Sequence, residues 1–448
     1  MIFREEEEVR KQIGTIRTQI LRAEDRVRFL CTPRFRPLSV RFHSFRKPKV
    51  QQIELGFQHT ICLVRECEGE GKPRVFVWGS NEFGQLGLGD FRNRFTPCEL
   101  NMSETKTVAC RVAAGYFHSG FVCTEGFAYT FGSSSRHRLG YEVEEANDDD
   151  DETSVHTPRR LNVFYSCEYG EARGAMRCKV PCVKSLHLGN ETGAVVTSIG
   201  EVFTWGSSEA LGHGNRLPQV YPLRVHQFRG RIITSASLGD SHAGAVSEDG
   251  RLYTWGNGRY GRLGHNNHEE TELRPKFVFS FSNMRVNSVS CGHYVTFVVT
   301  SVPKGNLYGF GLTDDCRLGR EFVPGTKKRQ RFVCSPKLVM KGRVQSVSTG
   351  LHHSLVLRRD SRGGTRSVYG CGLNTVGQLG IEYIDDDDDD DDDAGIEFER
   401  IDIAVSDDDD DDEDDSRKKS RRRPPPPRVV SAICCGAYHS AVALVDDH

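Results

Sequence analysis

Short apolar runs rich in β-branched and aromatic residues recur along the chain, and glycine stops each of them; Val75 to Trp78 and Leu252 to Trp255 are two examples. Such side chains suit a pleated surface, so runs of this kind bounded by Gly predict strands rather than helices. The residues leading into a second kind of glycine motif, such as Val344 to Val347, are also apolar and β-branched. A different pattern opens the chain. Val9, Ile13, Ile16, Ile20, Ala23 and Val27 follow a 4-3-4-3-4 spacing within a charged stretch, a heptad seam that predicts a short helical arm over residues 4–28, although Gly14 weakens it.

Two motifs alternate after that arm. The first is Gly-x-x-His, at Gly56/His59, Gly115/His118, Gly239/His242, Gly350/His353 and Gly436/His439, with degenerate copies at Gly189/Thr192 and Gly292/Val295. The second is an aromatic residue and Gly followed by Leu-Gly. It reads Trp78-Gly79 with Leu86-Gly87, Phe131-Gly132 with Leu139-Gly140, Trp205-Gly206 with Leu211-Gly212, Trp255-Gly256 with Leu263-Gly264 and Phe310-Gly311 with Leu318-Gly319. A sixth copy replaces the aromatic residue, reading Cys371-Gly372 with Leu379-Gly380. Successive first-motif glycines are 50 to 86 residues apart. A period near 50 with variable insertions marks a stacked array, and four short strands per period is the content of a propeller blade.

Each motif position has a structural reading. The Gly after the aromatic residue permits close backbone approach, the Leu plugs the gap between sheets, and the Gly after it takes a left-handed conformation. The five histidines recur once per repeat, so they are spread around an axis and cannot converge as ligands. They are expected to bond buried backbone groups between strands.

These residues resemble the repeats of the regulator of chromosome condensation family. Asn81-Glu-Phe-Gly84-Gln85-Leu86-Gly87-Leu-Gly89-Asp90, following Val-Trp-Gly, is close to that family's consensus, and the motifs cover about Gly56 to His439. The resemblance implies an all-β, seven-bladed β-propeller. In this reading residues 1–28 form a helical arm and 29–448 the propeller, with disordered acidic insertions at about 142–157 and 383–428. Seven first motifs face six second motifs, so the last blade lacks its later strands. The family closes its ring by sharing one blade between the chain ends. Val27 to Val50 is the candidate donor, with Pro37 to Val40 and Val50 to Leu55 reading as strands; a truncated longer chain is the competing explanation.

Composition narrows the functional classes. The chain has 60 basic and 62 acidic residues, so it carries no global attraction for nucleic acid. Its 15 cysteines are scattered singly through strand-like segments, which fits a reducing compartment, cytoplasmic or nuclear. Cys178 with Cys182, and Cys434 with Cys435, are the only close pairs, so no zinc site is expected. No apolar window suggests a secretory signal or a membrane span. Asp385 to Asp393 is unbroken Asp, and Asp407 to Asp415 is a second acidic run. A basic and proline-rich stretch follows it, including Lys418, Lys419, Arg421, Arg422, Arg423, Pro424 and Pro427. It reads as an import signal, as a polyproline-helix ligand, or as a solvated loop partly neutralised by its acidic half.

No phosphate loop, nucleophile elbow or paired metal motif is present, and no enzymatic activity or cofactor is expected. The resemblance leaves two function classes. One is a protein-binding scaffold or adaptor. The other is a guanine-nucleotide exchange factor for a small Ran-like GTPase, associated with chromatin, with the GTPase or histones as partners. Exchange in this family uses a wedge-like hairpin between aromatic-Gly and Leu-Gly. Here the step from that Gly to the Leu is seven residues in five repeats and five in the other. Direct base readout is not expected, because the acidic runs repel phosphate. The three Trp residues all occupy the repeat's aromatic position, which leaves none for a light-sensing cluster.

Overall fold

The structure, a computed structural model, describes residues 48–66, 71–103, 106–143, 154–162, 182–301, 305–319, 331–360, 366–375, 377–380, 395–401 and 428–446. Blade 4 shows the repeating unit. Ile233–Leu238, His242–Ser247, Leu252–Gly256 and Glu272–Phe277 pair antiparallel in that order. Five further four-stranded sheets of the same kind span 48–99, 109–160, 183–224, 286–340 and 344–401, forming blades 1, 2, 3, 5 and 6. Arg428–Cys435 and Ser440–Asp446 make a seventh sheet of two strands.

The register explains the motif spacing. His59 pairs with Gly79, His118 with Gly132, His242 with Gly256 and His353 with Gly372, so the two motifs are cross-strand neighbours on the second and third strands. Gly79 has φ +109°, and a Cβ there would lie 2.6 Å from His59 Cα. Only glycine suits both conditions.

Blades are joined by their aromatic residues. Trp205 Nε1 donates to Arg138 O of the preceding blade at 2.9 Å, and Trp255 Nε1 donates to Ala210 O at 2.6 Å. Each ring also covers the Gly of the preceding Leu-Gly pair. A Cβ on Gly140 would meet Trp205 at 2.9 Å, and one on Gly212 would meet Trp255 at 3.1 Å. Buried clusters therefore lie between adjacent sheets, as with Leu139, Leu161 and Leu186 around Trp205. The array closes on itself: Ala437 in the seventh repeat donates its backbone N–H to Gly56 O in the first, at 3.2 Å.

Two expectations need correction. A seven-bladed ring was expected, its last blade completed by the start of the chain; six four-stranded blades are present, and the seventh sheet has two strands among the described residues. The seventh repeat carries Gly436 and His439 but no aromatic-Gly and Leu-Gly pair, the pattern that builds the third and fourth strands elsewhere. Val50 to Leu55 belong to Pro48–Leu55, the first strand of blade 1, and not to the seventh sheet. The acidic insertions are also less continuous than the sequence suggested. Gly395–Ile401 forms the fourth strand of blade 6 and Ser154–Arg160 that of blade 2. Ile396, Phe398 and Ile401 supply apolar side chains between long acidic runs, and those runs dominate the local composition. The heptad arm, Pro37 to Val40, both Asp runs and Lys418 to Pro427 lie outside the described residues.

Candidate protein-binding face

The Gly-x-x-His turns and the loops between third and fourth strands share one face of the array, here the upper face. The histidines themselves turn inward. His59 Nε2 lies 2.8 Å from Ser119 Oγ of the next blade, His242 Nε2 lies 2.8 Å from Thr296 Oγ1, and His353 Nε2 lies 2.9 Å from Ser440 Oγ. Sequence reasoning gave them backbone partners; His59, His353 and His439 do interact with the backbone of His118, His439 and His59 across blade boundaries, and His59, His242 and His353 also meet hydroxyl side chains there. Among the described residues His118 finds no side-chain partner for either ring nitrogen, because the equivalent position in blade 3 is Gly193. Space there is already filled, since a Cβ on Gly193 would collide with the Trp205 ring. Burial pushes His59 and His353 down to about 3 and His439 to about 4, and it pushes His118 and His242 well below the usual imidazole range. All five are therefore neutral near pH 7. Among the described residues, no three His, Cys, Asp or Glu side chains gather as metal ligands.

The two residues inside each turn face the upper mouth of the central channel. Phe57 packs against Tyr116 with ring centroids 5.7 Å apart and against Tyr438 at 5.5 Å. Tyr438 lies 6.1 Å from His352, and His352 lies 6.2 Å from His293. His293 Nε2 is 3.5 Å from Asp240 Oδ2, and Asp240 Oδ1 accepts from Asn190 Nδ2 at 2.9 Å. These contacts run through all the repeats except blade 2 to blade 3. The rosette is half-buried and mostly aromatic. Sequence reasoning left these positions unspecified, although Phe, Tyr and His recur between the Gly and His of the motif and signal them.

Buried guanidinium groups stand behind the rosette. Arg138, Arg262 and Arg317 each precede the Leu of a Leu-Gly pair and are buried. Arg262 Nη1 donates to Ser241 Oγ at 3.0 Å and to His293 O at 2.9 Å, and its Cζ sits 4.6 Å from the Tyr294 ring centroid. Burial lowers its pKa to about 10, so it stays charged. Burial also takes His293 down to about 3, with Arg317 and Arg262 adding to the shift, and it raises Asp240. The contact between Asp240 and His293 therefore joins a carboxylate to a neutral imidazole and is not an ion pair.

Below the rosette lies a cavity of about 340 Å³ lined by the first strands of all seven sheets, including Gln52, Glu54, His187, Ser237 and Cys434. Small polar side chains satisfy the inner strand edges; Ser237 Oγ accepts from Cys291 N and Ser348 Oγ from Cys435 N, both at 2.9 Å. Glu54 accepts from Gln52 Nε2 at 2.8 Å, and desolvation raises its pKa to about 7.

The chain resembles known proteins along this repeat pattern. Matches to the regulator of chromosome condensation (RCC1) repeat cover residues 73–122, 200–246 and 249–299, and a second form of that repeat covers 233–262 and 344–378. This chain carries RCC1 repeats. The RCC1-repeat chain is 28% identical to the ultraviolet-B receptor UVR8 of Arabidopsis thaliana over 74% of its own length and 67% of the receptor. It is 30% identical to the human E3 ubiquitin-protein ligase HERC2 over 56% of its length, but this spans only 5% of that protein. Protein pim1 of Schizosaccharomyces pombe is 28% identical over 64% of this chain and 53% of its own. Human WBSCR16 superposes with a TM-score of 0.64 at 18% identity, covering 89% of this chain and 87% of that one. Prp20p of Saccharomyces cerevisiae, solved alongside its binding to Gsp1p and histones, gives 0.64 at 18% identity over 89% of this chain and 83% of that one. At this identity the superpositions show the RCC1-type propeller fold alone.

Proposed function

We propose that this chain is a non-catalytic protein-interaction scaffold and that its upper face is the docking surface. The rosette carries the reading. Phe57, Tyr116, Tyr294 and Tyr438 are only half-buried and surround one mouth, with guanidinium groups behind them. Their turns are fixed by bonds between blades, such as Phe57 N to Tyr116 O at 3.1 Å, so docking costs little ordering entropy. Aromatic and Arg side chains are the groups that dominate binding energy at protein interfaces. Affinity capture with quantitative mass spectrometry, comparing the full chain with a Phe57→Ala/Tyr438→Ala variant, tests this. Specific partners should be lost from the variant; an unchanged set removes the upper face from consideration.

Exchange on a small Ran-like GTPase is the second reading, and the likeness to pim1 and Prp20p favours it. Against it stands the short passage from the third strand to the Leu-Gly pair, which offers no hairpin of wedge size. Release of a fluorescent nucleotide from Ran should not accelerate. Acceleration of about a hundredfold, roughly 2.7 kcal/mol off the release barrier, replaces the scaffold reading with exchange.

A further inference from the structure

The lower face, opposite the rosette, is formed by the turns between second and third strands and by the passages from one blade to the next. Four large apolar side chains stand out into solvent there: Phe279 is 78% exposed, Ile199 55%, Ile232 49% and Met284 37%. Equivalent positions in other repeats are polar. Ile199 stands where blades 2 and 4 have Glu125 and Asp249, Ile232 where the entries to blades 5 and 6 have Arg285 and Arg343, and Phe279 where the exit of blade 3 has His226. The repeat therefore folds without apolar side chains at these places. A contiguous group of them on the outside marks a contact with something else.

Contacts join them into one patch. Ile232 covers the turn that holds Ile199, since a Cβ on Gly200 would lie 2.6 Å from Ile232 Cγ2. The Cζ of the neighbouring Arg231 stands 5.6 Å from the Tyr253 ring centroid, Tyr253 lies 5.9 Å from Phe277, and Phe277 lies 6.4 Å from Phe279. Phe281 leads on to blade 5, with its ring 5.4 Å from Tyr308 and its carbonyl accepting from Met284 N at 3.1 Å. Cations are set among these side chains. Arg251 Cζ is 6.0 Å from the Phe277 centroid, and Arg285 Nη2 donates to Glu248 O at 2.8 Å, a carbonyl that does not neutralise it. Lys341, Arg343 and Arg359 extend the exposed basic side chains along blades 5 and 6, where Arg359 N donates to Arg343 O at 2.9 Å. Among the described residues, the exposed carboxylates on these segments are Glu248 and Asp249, and Arg251 Nε lies 3.0 Å from Asp249 Oδ2.

We propose that the lower face of blades 3 to 6 docks peripherally on a lipid bilayer with anionic headgroups. The arginines and Lys341 meet lipid phosphate and carboxylate, and Ile199, Ile232, Phe279 and Met284 enter the boundary between headgroups and acyl chains. The mixture selects a bilayer over nucleic acid. A phosphate backbone takes up arginines but offers nothing apolar to isoleucine and methionine, and stacking on bases needs aromatic platforms. This surface is independent of the rosette, which opens on the other side.

Vesicle co-sedimentation of the full chain tests the assignment, with phosphatidylcholine vesicles and equimolar phosphatidylcholine–phosphatidylserine vesicles as probes. The chain should partition onto the mixed vesicles and not onto phosphatidylcholine alone, and salt should weaken the partitioning. Ile232→Ser/Phe279→Ser removes no charge and should weaken it about tenfold. Leu217→Ser, at an exposed apolar residue of the upper face, should change it less than about twofold. No partitioning, or equal losses in the two variants, overturns the proposal. If the double variant melts well below wild type, Phe279→Trp decides. Brominated acyl chains in the mixed vesicles should quench the added indole on binding, and binding without quenching overturns the proposal. A labelled DNA duplex that binds more tightly than the vesicles, and is weakened by Arg251→Gln/Arg285→Gln but not by Ile232→Ser/Phe279→Ser, would make this a nucleic-acid surface and overturn it as well.

Discussion

Trp255 Nε1 donates to Ala210 O at 2.6 Å, so an indole on the third strand of blade 4 fixes the loop of blade 3. The ring is buried and also covers Gly212. Trp255→Phe should therefore lose about 1–3 kcal/mol, because the carbonyl stays buried without its donor. Trp255→Ala should lose about 3–5 kcal/mol through the cavity it leaves. Urea unfolding of both variants checks the order.

Gly256 has φ +101°, and a Cβ there would lie 2.6 Å from Ser241 O and 2.7 Å from His242 Cα. Gly256→Val should cost several kcal/mol, above the roughly 1–2 kcal/mol of the left-handed conformation alone. Gly230 has φ +76° with open space around it, so Gly230→Ala should cost only that smaller amount. Equal melting temperatures for the two variants would contradict the close contact at Gly256.

The histidine latches are unequal. His59→Leu leaves Ser119 Oγ without its 2.8 Å partner and should cost about 1–3 kcal/mol. His118 makes no ring hydrogen bond among the described residues, so His118→Leu should cost clearly less. Equilibrium denaturation of the pair decides this, and a larger loss at His118 refutes it.

Stability should depend on pH in two windows. The folded-state pKa values of His59, His353 and His439 are depressed to about 3, 3 and 4. The unfolded chain thus binds more protons below about pH 6.5, and stability falls as pH drops from there toward 4. Glu54 is raised to about 7, which works in the opposite sense. Its contribution is present below about pH 4.5 and is lost as pH rises through 7. Chemical denaturation across pH 4–8 should show the acid loss, and Glu54→Gln should flatten the change on the neutral side.

No strand pairs with the outer edge of Ser440–Asp446 among the described residues. Exposed sheet edges are costly, and propellers protect them. If a segment before Pro48 covers this edge, deleting residues 1–47 should lower the melting temperature, whereas deleting 1–24 should not. Equal effects of the two deletions would point elsewhere for the cover.

The repeat itself was legible in the sequence. Gly79, Gly256, Trp205 and Trp255 are set by local requirements, namely a backbone that only glycine accepts and a ring that must cover the preceding blade, and such requirements recur in every copy. Gly395–Ile401 was hidden because the Asp runs on either side outweigh seven residues in any reading of composition, while its strand pairing is with residues 368–373. Only the folded array decides how insertions are distributed. The connection from Gly380 to Gly395 begins and ends on the upper face, and that from Ile401 to Arg428 on the lower one, although in sequence both belong to a single charged stretch. The binding face is likewise a product of closure. Phe57 and Tyr438 are 381 residues apart in sequence, and their rings lie 5.5 Å apart because Ala437 bonds back to Gly56. Nothing local encodes that contact. The sequence determined the unit and its glycine and aromatic chemistry, and the geometry of the closed array determined which side chains meet at the mouth, because contacts between blades depend on how many units stack and how they turn.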